Sequence, residues 1–124
     1  MRKSVLMAAA VLFLAASALF GQTANMPKVT FIELGSVNCI PCKQMQPIMK
    51  SVEKRYGAQV KVIFYDVWKD DQQQYAKKYG VKLIPTQIFK DAKGKEIFRH
   101  EGFFPEAEID KIMQKQGVKP LNTK

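Results

Sequence analysis

Cys39 and Cys42 are the chain's only cysteines, and they stand three residues apart in Cys39-Ile40-Pro41-Cys42. Thiols at this spacing can close a small-ring disulfide and open it again, the attacking species being the thiolate. An apolar, β-branched run (28–34) precedes them and a helical pattern (43–56) follows. A thiol placed where a strand passes into a helix meets unpaired backbone N–H groups and the positive end of the helix dipole. Both favour its ionised form. Cys39 is then the nucleophile, and Cys42, about one turn deeper, resolves the mixed disulfide. By itself the pair also admits a structural staple or half of a metal site. A staple gains most from closing a long loop, and this loop is very short. A zinc or copper site needs four ligands, and the single histidine, His100, brings the count only to three. Neither a metal nor a cofactor is expected.

The flanking segments must hold the pair in place. Run 28–34 (Lys-Val-Thr-Phe-Ile-Glu-Leu) is apolar on both faces, as a central strand is, apart from Glu33. Glu33 shares a strand face with Val29 and Phe31 and so points towards apolar surroundings. Residues 35–38 make the turn, and Pro41 suits a first helical turn because its missing N–H costs nothing there. Met45, Ile48, Met49 and Val52 form an apolar stripe at helical spacing, Pro47 interrupts the helix, and Gly57 ends it. A second strand is expected at 60–67, and a short polar helix at 70–79, capped by Asp70 and stopped by Gly80. A strand at 86–90 then forms a hairpin with one at 96–100 across the turn 91–94, and a last helix covers 106–115. The order β-α-β-α-β-β-α predicts an α/β fold with a mixed four-stranded sheet flanked by helices. Its first three strands, linked through helices, are expected to be parallel. His100 alternates with Phe98 and is expected at the surface. Trp68 and the Phe103-Phe104 pair are read as packing residues rather than a docking rim.

Composition adds bounds. Of 124 residues, 47% are hydrophobic and 25% charged, as in an ordinary globular domain. The formal charge is +9, but the lysines are spread along the chain and match no nucleic-acid motif. A solvated basic surface is the reading, with no nucleic acid as partner. Residues 1–24 read as a secretory signal peptide: Arg2 and Lys3, an apolar run over 5–20, then Ala16-Ser17-Ala18 in a small-x-small pattern. That run falls short of the ~20 residues that span a bilayer. An uncleaved N-terminal membrane anchor through 5–20 is the alternative. Residues 25–124 then form one exported domain, periplasmic or otherwise extracytoplasmic.

Taken together, Cys39-Ile40-Pro41-Cys42-Lys43 after the first strand, Pro47, Tyr79-Gly80-Val81 and Ile84-Pro85-Thr86 resemble the thioredoxin family from about residue 29 to residue 112. The resemblance implies the minimal thioredoxin-like core. It also implies a cis Pro85 facing the cysteines, and a substrate groove framed by Ile84, Pro85 and Thr86 with Ile40 and Pro41. Glu33 falls where the family has a buried aspartate, which implies a proton acceptor for Cys42; burial raises a carboxyl pKa towards the range useful for that work. Asn38 stands where thioredoxins usually carry Trp, and Ile40 where they carry Gly. The expected activity is that of a monomeric thiol–disulfide oxidoreductase reducing protein disulfides, with electrons from a membrane thiol carrier. An oxidase or isomerase on the same scaffold, or a non-catalytic binding or metal-delivery module, are the alternatives.

Overall fold

The sheet is built on β1 (Val29–Gly35), the strand that carries Glu33 and delivers the chain to the cysteines. The computed structural model describes residues 26–122. The expected signal or anchor segment (1–24) lies outside the described residues. After β1 come α1 (Ile40–Tyr56), a 3-10 turn (Gly57–Gln59), β2 (Val60–Asp66), α2 (Gln74–Lys78), β3 (Thr86–Asp91), β4 (Glu96–Glu101) and α3 (Glu106–Lys115). The strands lie in the order β2-β1-β3-β4. β1 is parallel to β2, while β3 is antiparallel to both β1 and β4.

The expectation of three parallel strands is therefore corrected. β2 ends beside Gly35 and β3 begins beside Leu34, at the same end of the sheet. The segment 67–85, with α2 inside it, returns the chain to the end of the sheet where β2 finished, so β3 enters there and runs the opposite way. α2 is also shorter than the expected 70–79. Asp70 does not cap it: Gln73 occupies that position, in helical conformation, with no side-chain cap.

Strand alternation sorts the side chains to two faces. Val29, Phe31, Val60 and Phe89 face α1 and α3, meeting Met45, Met49, Val52 and Tyr56 from one and Ile109, Ile112 and Met113 from the other. Phe31 and Phe89, opposite each other across the β1–β3 ladder, stack with centroids 4.7 Å apart. Each such buried ring contributes roughly 1.5–3 kcal/mol. Ile32, Leu34 and Ile88 form the second cluster, covered by Tyr75, Ala76 and Tyr79 from around α2. Helices thus lie on both faces.

Buried Cys42, Met45, Met49, Val52 and Tyr56 follow one another at three- and four-residue steps along α1, which fixes the face it presents to the sheet. The helix stops at Gly57, whose φ of +57° suits glycine. A side chain there would also strike Leu121 of the C-terminal segment, at 2.7 Å from Cδ1.

Candidate active site

The end of the sheet where β1 stops is where the chemistry collects. Cys39 is the N-cap of α1, with extended backbone, and its carbonyl accepts the first helical hydrogen bond from the Lys43 N–H at 2.9 Å. Ile40 and Pro41 fill the first turn. Cys39 is partly exposed and Cys42 is fully buried, and the two are joined as a disulfide with Cα atoms 5.2 Å apart. The thiol that meets a substrate is therefore the outer one, at the positive end of a 17-residue helix. Ile40 between them is 74% exposed.

Gly35 explains how β1 and α1 come this close. A Cβ on Gly35 would lie 3.1 Å from Cys42 Sγ and 3.2 Å from its Cβ, so this place has no room for a larger residue. Glu33 is the next residue along the same strand face. It has no solvent exposure. Its Oε1 accepts a long hydrogen bond from Gln87 Nε2 at 3.5 Å, and its Oε2 has no partner among the described residues. Burial pushes the carboxyl up from 4.5 to about 8, and the Gln87 bond only partly offsets this. A carboxyl in that range is able to take and return a proton near neutral pH.

The loop before Cys39 is held by Asp66, at the end of β2. Its Oδ2 accepts the Val37 N–H and its Oδ1 the Trp68 N–H, both at 3.2 Å. Ser36 is buried, and its hydroxyl accepts the Asn38 N–H at 3.2 Å. Burial of Asp66 alone would push its pKa up. The N–H groups of Val37 and Trp68, with Ser36 and Lys69, outweigh that and hold it below the usual carboxylate value. Sequence reading missed this residue. The signal was an acidic side chain closing an apolar strand, level with Gly35.

The Ile84–Pro85 peptide bond is cis. Pro85 is buried, and its carbonyl accepts the Gly102 N–H at 2.7 Å. Thr86 is buried too. Its hydroxyl donates to the Leu83 carbonyl, so its side chain shapes the turn rather than facing solvent. Ile84 is partly exposed, and its backbone N–H and C=O form no hydrogen bond among the described residues. Trp68 (59% exposed), Phe103, Leu83 and Val37 surround this end as apolar surface. The reading of Trp68 and Phe103 as packing residues is corrected: loop positions after Asp66 and after Gly102 give them no sheet face to cover. Phe104 alone of the three is buried. His100 is corrected as well. It is half-buried, its ring stacked on Phe104 at 4.2 Å, because the pleat turns it to the same face as Gln87.

The family of thioredoxin-like domains matches residues 21–117. The chain is 33% identical over 78 residues to the thioredoxin of Bacillus subtilis, covering 62% of this chain and 71% of that protein. It is 36% identical over 74 residues to thioredoxin-like protein 1 of Schizosaccharomyces pombe, covering 60% of this chain and only 25% of that protein. The X-ray structure of Fasciola hepatica thioredoxin superposes with a TM-score of 0.61 at 26% identity, over 74% of this chain and 84% of that one. The chain belongs to the thioredoxin-like family. With its Cys39-Ile40-Pro41-Cys42 pair it is a thiol–disulfide oxidoreductase, and proteins of this class act on protein disulfides.

Proposed function

We propose that the protein is an exported, monomeric reductase of protein disulfides. The observation that carries this reading is the asymmetry of the pair: Cys39 partly exposed at the helix N-terminus, Cys42 buried beside Gly35, and Glu33 next along that face with a pKa near 8. The Cys39 thiolate attacks one sulfur of a substrate disulfide. The substrate S–S bond breaks, and its other sulfur leaves as a thiolate that takes a proton from water. Cys42 then gives its proton to the ionised Glu33 and attacks Cys39 Sγ. The mixed disulfide breaks, the second substrate thiol is released, and the Cys39–Cys42 disulfide closes. Two electrons pass from the protein's dithiol to the substrate. The free N–H and C=O of Ile84 offer an extended substrate segment strand-like pairing beside Ile40, with Pro85 and Thr86 holding that turn.

Export rests on the sequence of residues 1–24, which have the layout of a signal. Outside the cytoplasm a nicotinamide-linked reductase is not at hand, so a membrane thiol carrier is the proposed electron donor. Pro41 before Cys42 is shared with the reducing members of the family and favours reduction over oxidation. Equilibration of the purified protein with glutathione tests the direction. A reductase should poise near ~−270 mV, whereas a value near ~−120 mV assigns an oxidase. Partners held covalently by a Cys42→Ser variant through Cys39 would identify the substrates.

A further inference from the structure

Disulfide exchange has no need of an amide, yet Gln87 is a fully buried polar side chain beside the catalytic face. The strand register explains its company. Phe64, Glu33, Gln87 and His100 stand in one row across β2, β1, β3 and β4. Gln87 Nε2 donates to the Gly102 carbonyl at 3.0 Å and to Glu33 Oε1 at 3.5 Å. A carbonyl and a carboxylate both accept, so the amide nitrogen must face them, which uses both of its hydrogens. Its oxygen is left for His100 Nδ1 at 2.9 Å, and His100 must therefore carry its proton on Nδ1. The imidazole is held in turn. It stacks on Phe104, which is buried and whose N–H points to Met45 Sδ at 3.4 Å.

We propose that Gln87 and His100 are positioning residues for proton transfer at the dithiol: the row fixes the orientation of the Glu33 carboxyl through its Oε1. The proposal rests on the reading of Glu33 as proton acceptor for Cys42. The His100 Nδ1–H, donating to the amide oxygen, polarises the Gln87 amide and strengthens its Nε2–H bond to Glu33. The half-buried imidazole thus communicates with a carboxyl that water does not reach. The groups facing Glu33 leave this route clear. Phe64 of β2 stands opposite Glu33, Cys42 of α1 packs against Gly35, the next residue on that face, and α3 turns Glu106 and Asp110 towards Arg55. His100 is the titratable group joined to Glu33 through Gln87.

The test follows the second phase of the reaction of reduced protein with an aromatic disulfide whose released thiolate absorbs light. That phase is the attack of Cys42 on the Cys39 mixed disulfide, and its rate is measured against pH. Glu33→Gln should remove the inflection that Glu33 imposes. Gln87→Leu, by removing the donor to the carboxylate, should move it upwards by about one pH unit. His100→Phe keeps the ring stack and should move it the same way by less. In a Glu33→Gln background neither substitution should shift the profile. A merely structural role lowers stability and leaves the inflection where it was. If Glu33→Gln removes the inflection but Gln87→Leu and His100→Phe leave it in place, the positioning role is overturned and the acceptor reading stands. If Glu33→Gln leaves the inflection intact, the acceptor reading fails and the row's role with it. Should Gln87→Leu not fold, His100→Phe carries the test, with the Glu33 carboxyl titration followed by carbon NMR as a second readout.

Discussion

The two ends of the face shared by α1 and α3 treat polar groups in opposite ways. At the far end, Arg55 Nη2 reaches both Glu106 Oε1 and Asp110 Oδ1 at 2.6 Å, and Asp110 also accepts the Tyr56 hydroxyl. Ser51 donates to Glu106 as well. Arg55, Glu106 and Asp110 keep some contact with water while Tyr56 is buried, and each is paired. At the dithiol end Glu33 is fully enclosed, holds one long hydrogen bond and has an oxygen with none among the described residues. An enclosed, under-paired carboxyl costs stability, whereas a half-exposed, well-paired cluster adds a little. Stability is given up beside the dithiol and retained where the cluster only joins two helices.

Substitutions at the two ends sharpen this contrast. The largest effect is expected at the pair itself: Cys39→Ser should reduce turnover of a protein disulfide to the uncatalysed level in a coupled assay. Next comes the pH dependence of stability. Glu33 has a folded-state pKa near 8 against 4.5 for an ordinary glutamate, so the folded protein holds this proton over a range where the unfolded chain has lost it. Its contribution is fully present below pH 4.5 and is lost as pH rises through 8. Denaturant melts of the oxidised protein should therefore show a decline on the order of 5 kcal/mol across that window, absent in Glu33→Gln. A flat wild-type curve would contradict the enclosed, under-paired carboxyl.

Gly35→Ala should cost roughly 1–3 kcal/mol, read as a lowered Tm, because the added methyl presses on Cys42. Asp66→Asn should cost about 1 kcal/mol at neutral pH, since an amide can replace only one of the two acceptors used by Val37 and Trp68. The lowered Asp66 pKa makes its contribution present above the unfolded value of 3.8 and lost as pH falls through the folded one. At the far end Asp110→Asn should cost only about 0.5–1 kcal/mol at neutral pH, and less at high salt, as befits a half-exposed cluster.

The sequence displayed some of this more readily than the rest. α1 was legible because Met45, Ile48, Met49 and Val52 repeat at helical spacing, and α3 lies at its expected 106–115. Glu33 was legible as a buried acid because strand alternation put it on the face of Val29 and Phe31. The direction of β3 was not, since the 67–85 connection is long enough to reach either end of the sheet and only the pairing with β1 decides between them. Gln87 and His100 were missed together. Each looked unremarkable in its own strand, and only the register of β1, β3 and β4 brings them into one row. Asp66 was hidden for a similar reason, because one of its partners, the Val37 N–H, belongs to a loop 29 residues earlier in the chain.

The exposed Trp68 has a practical consequence. It is the chain's single tryptophan, it stands on the apolar rim, and its backbone is tied through Asp66 to the loop before Cys39. All indole fluorescence of the protein therefore originates from a residue tied through Asp66 to the loop that leads to Cys39. A disulfide partner that covers this rim should change the emission colour and shield the ring from an added quencher. The native chain carries its own optical reporter of docking, with no dye attached.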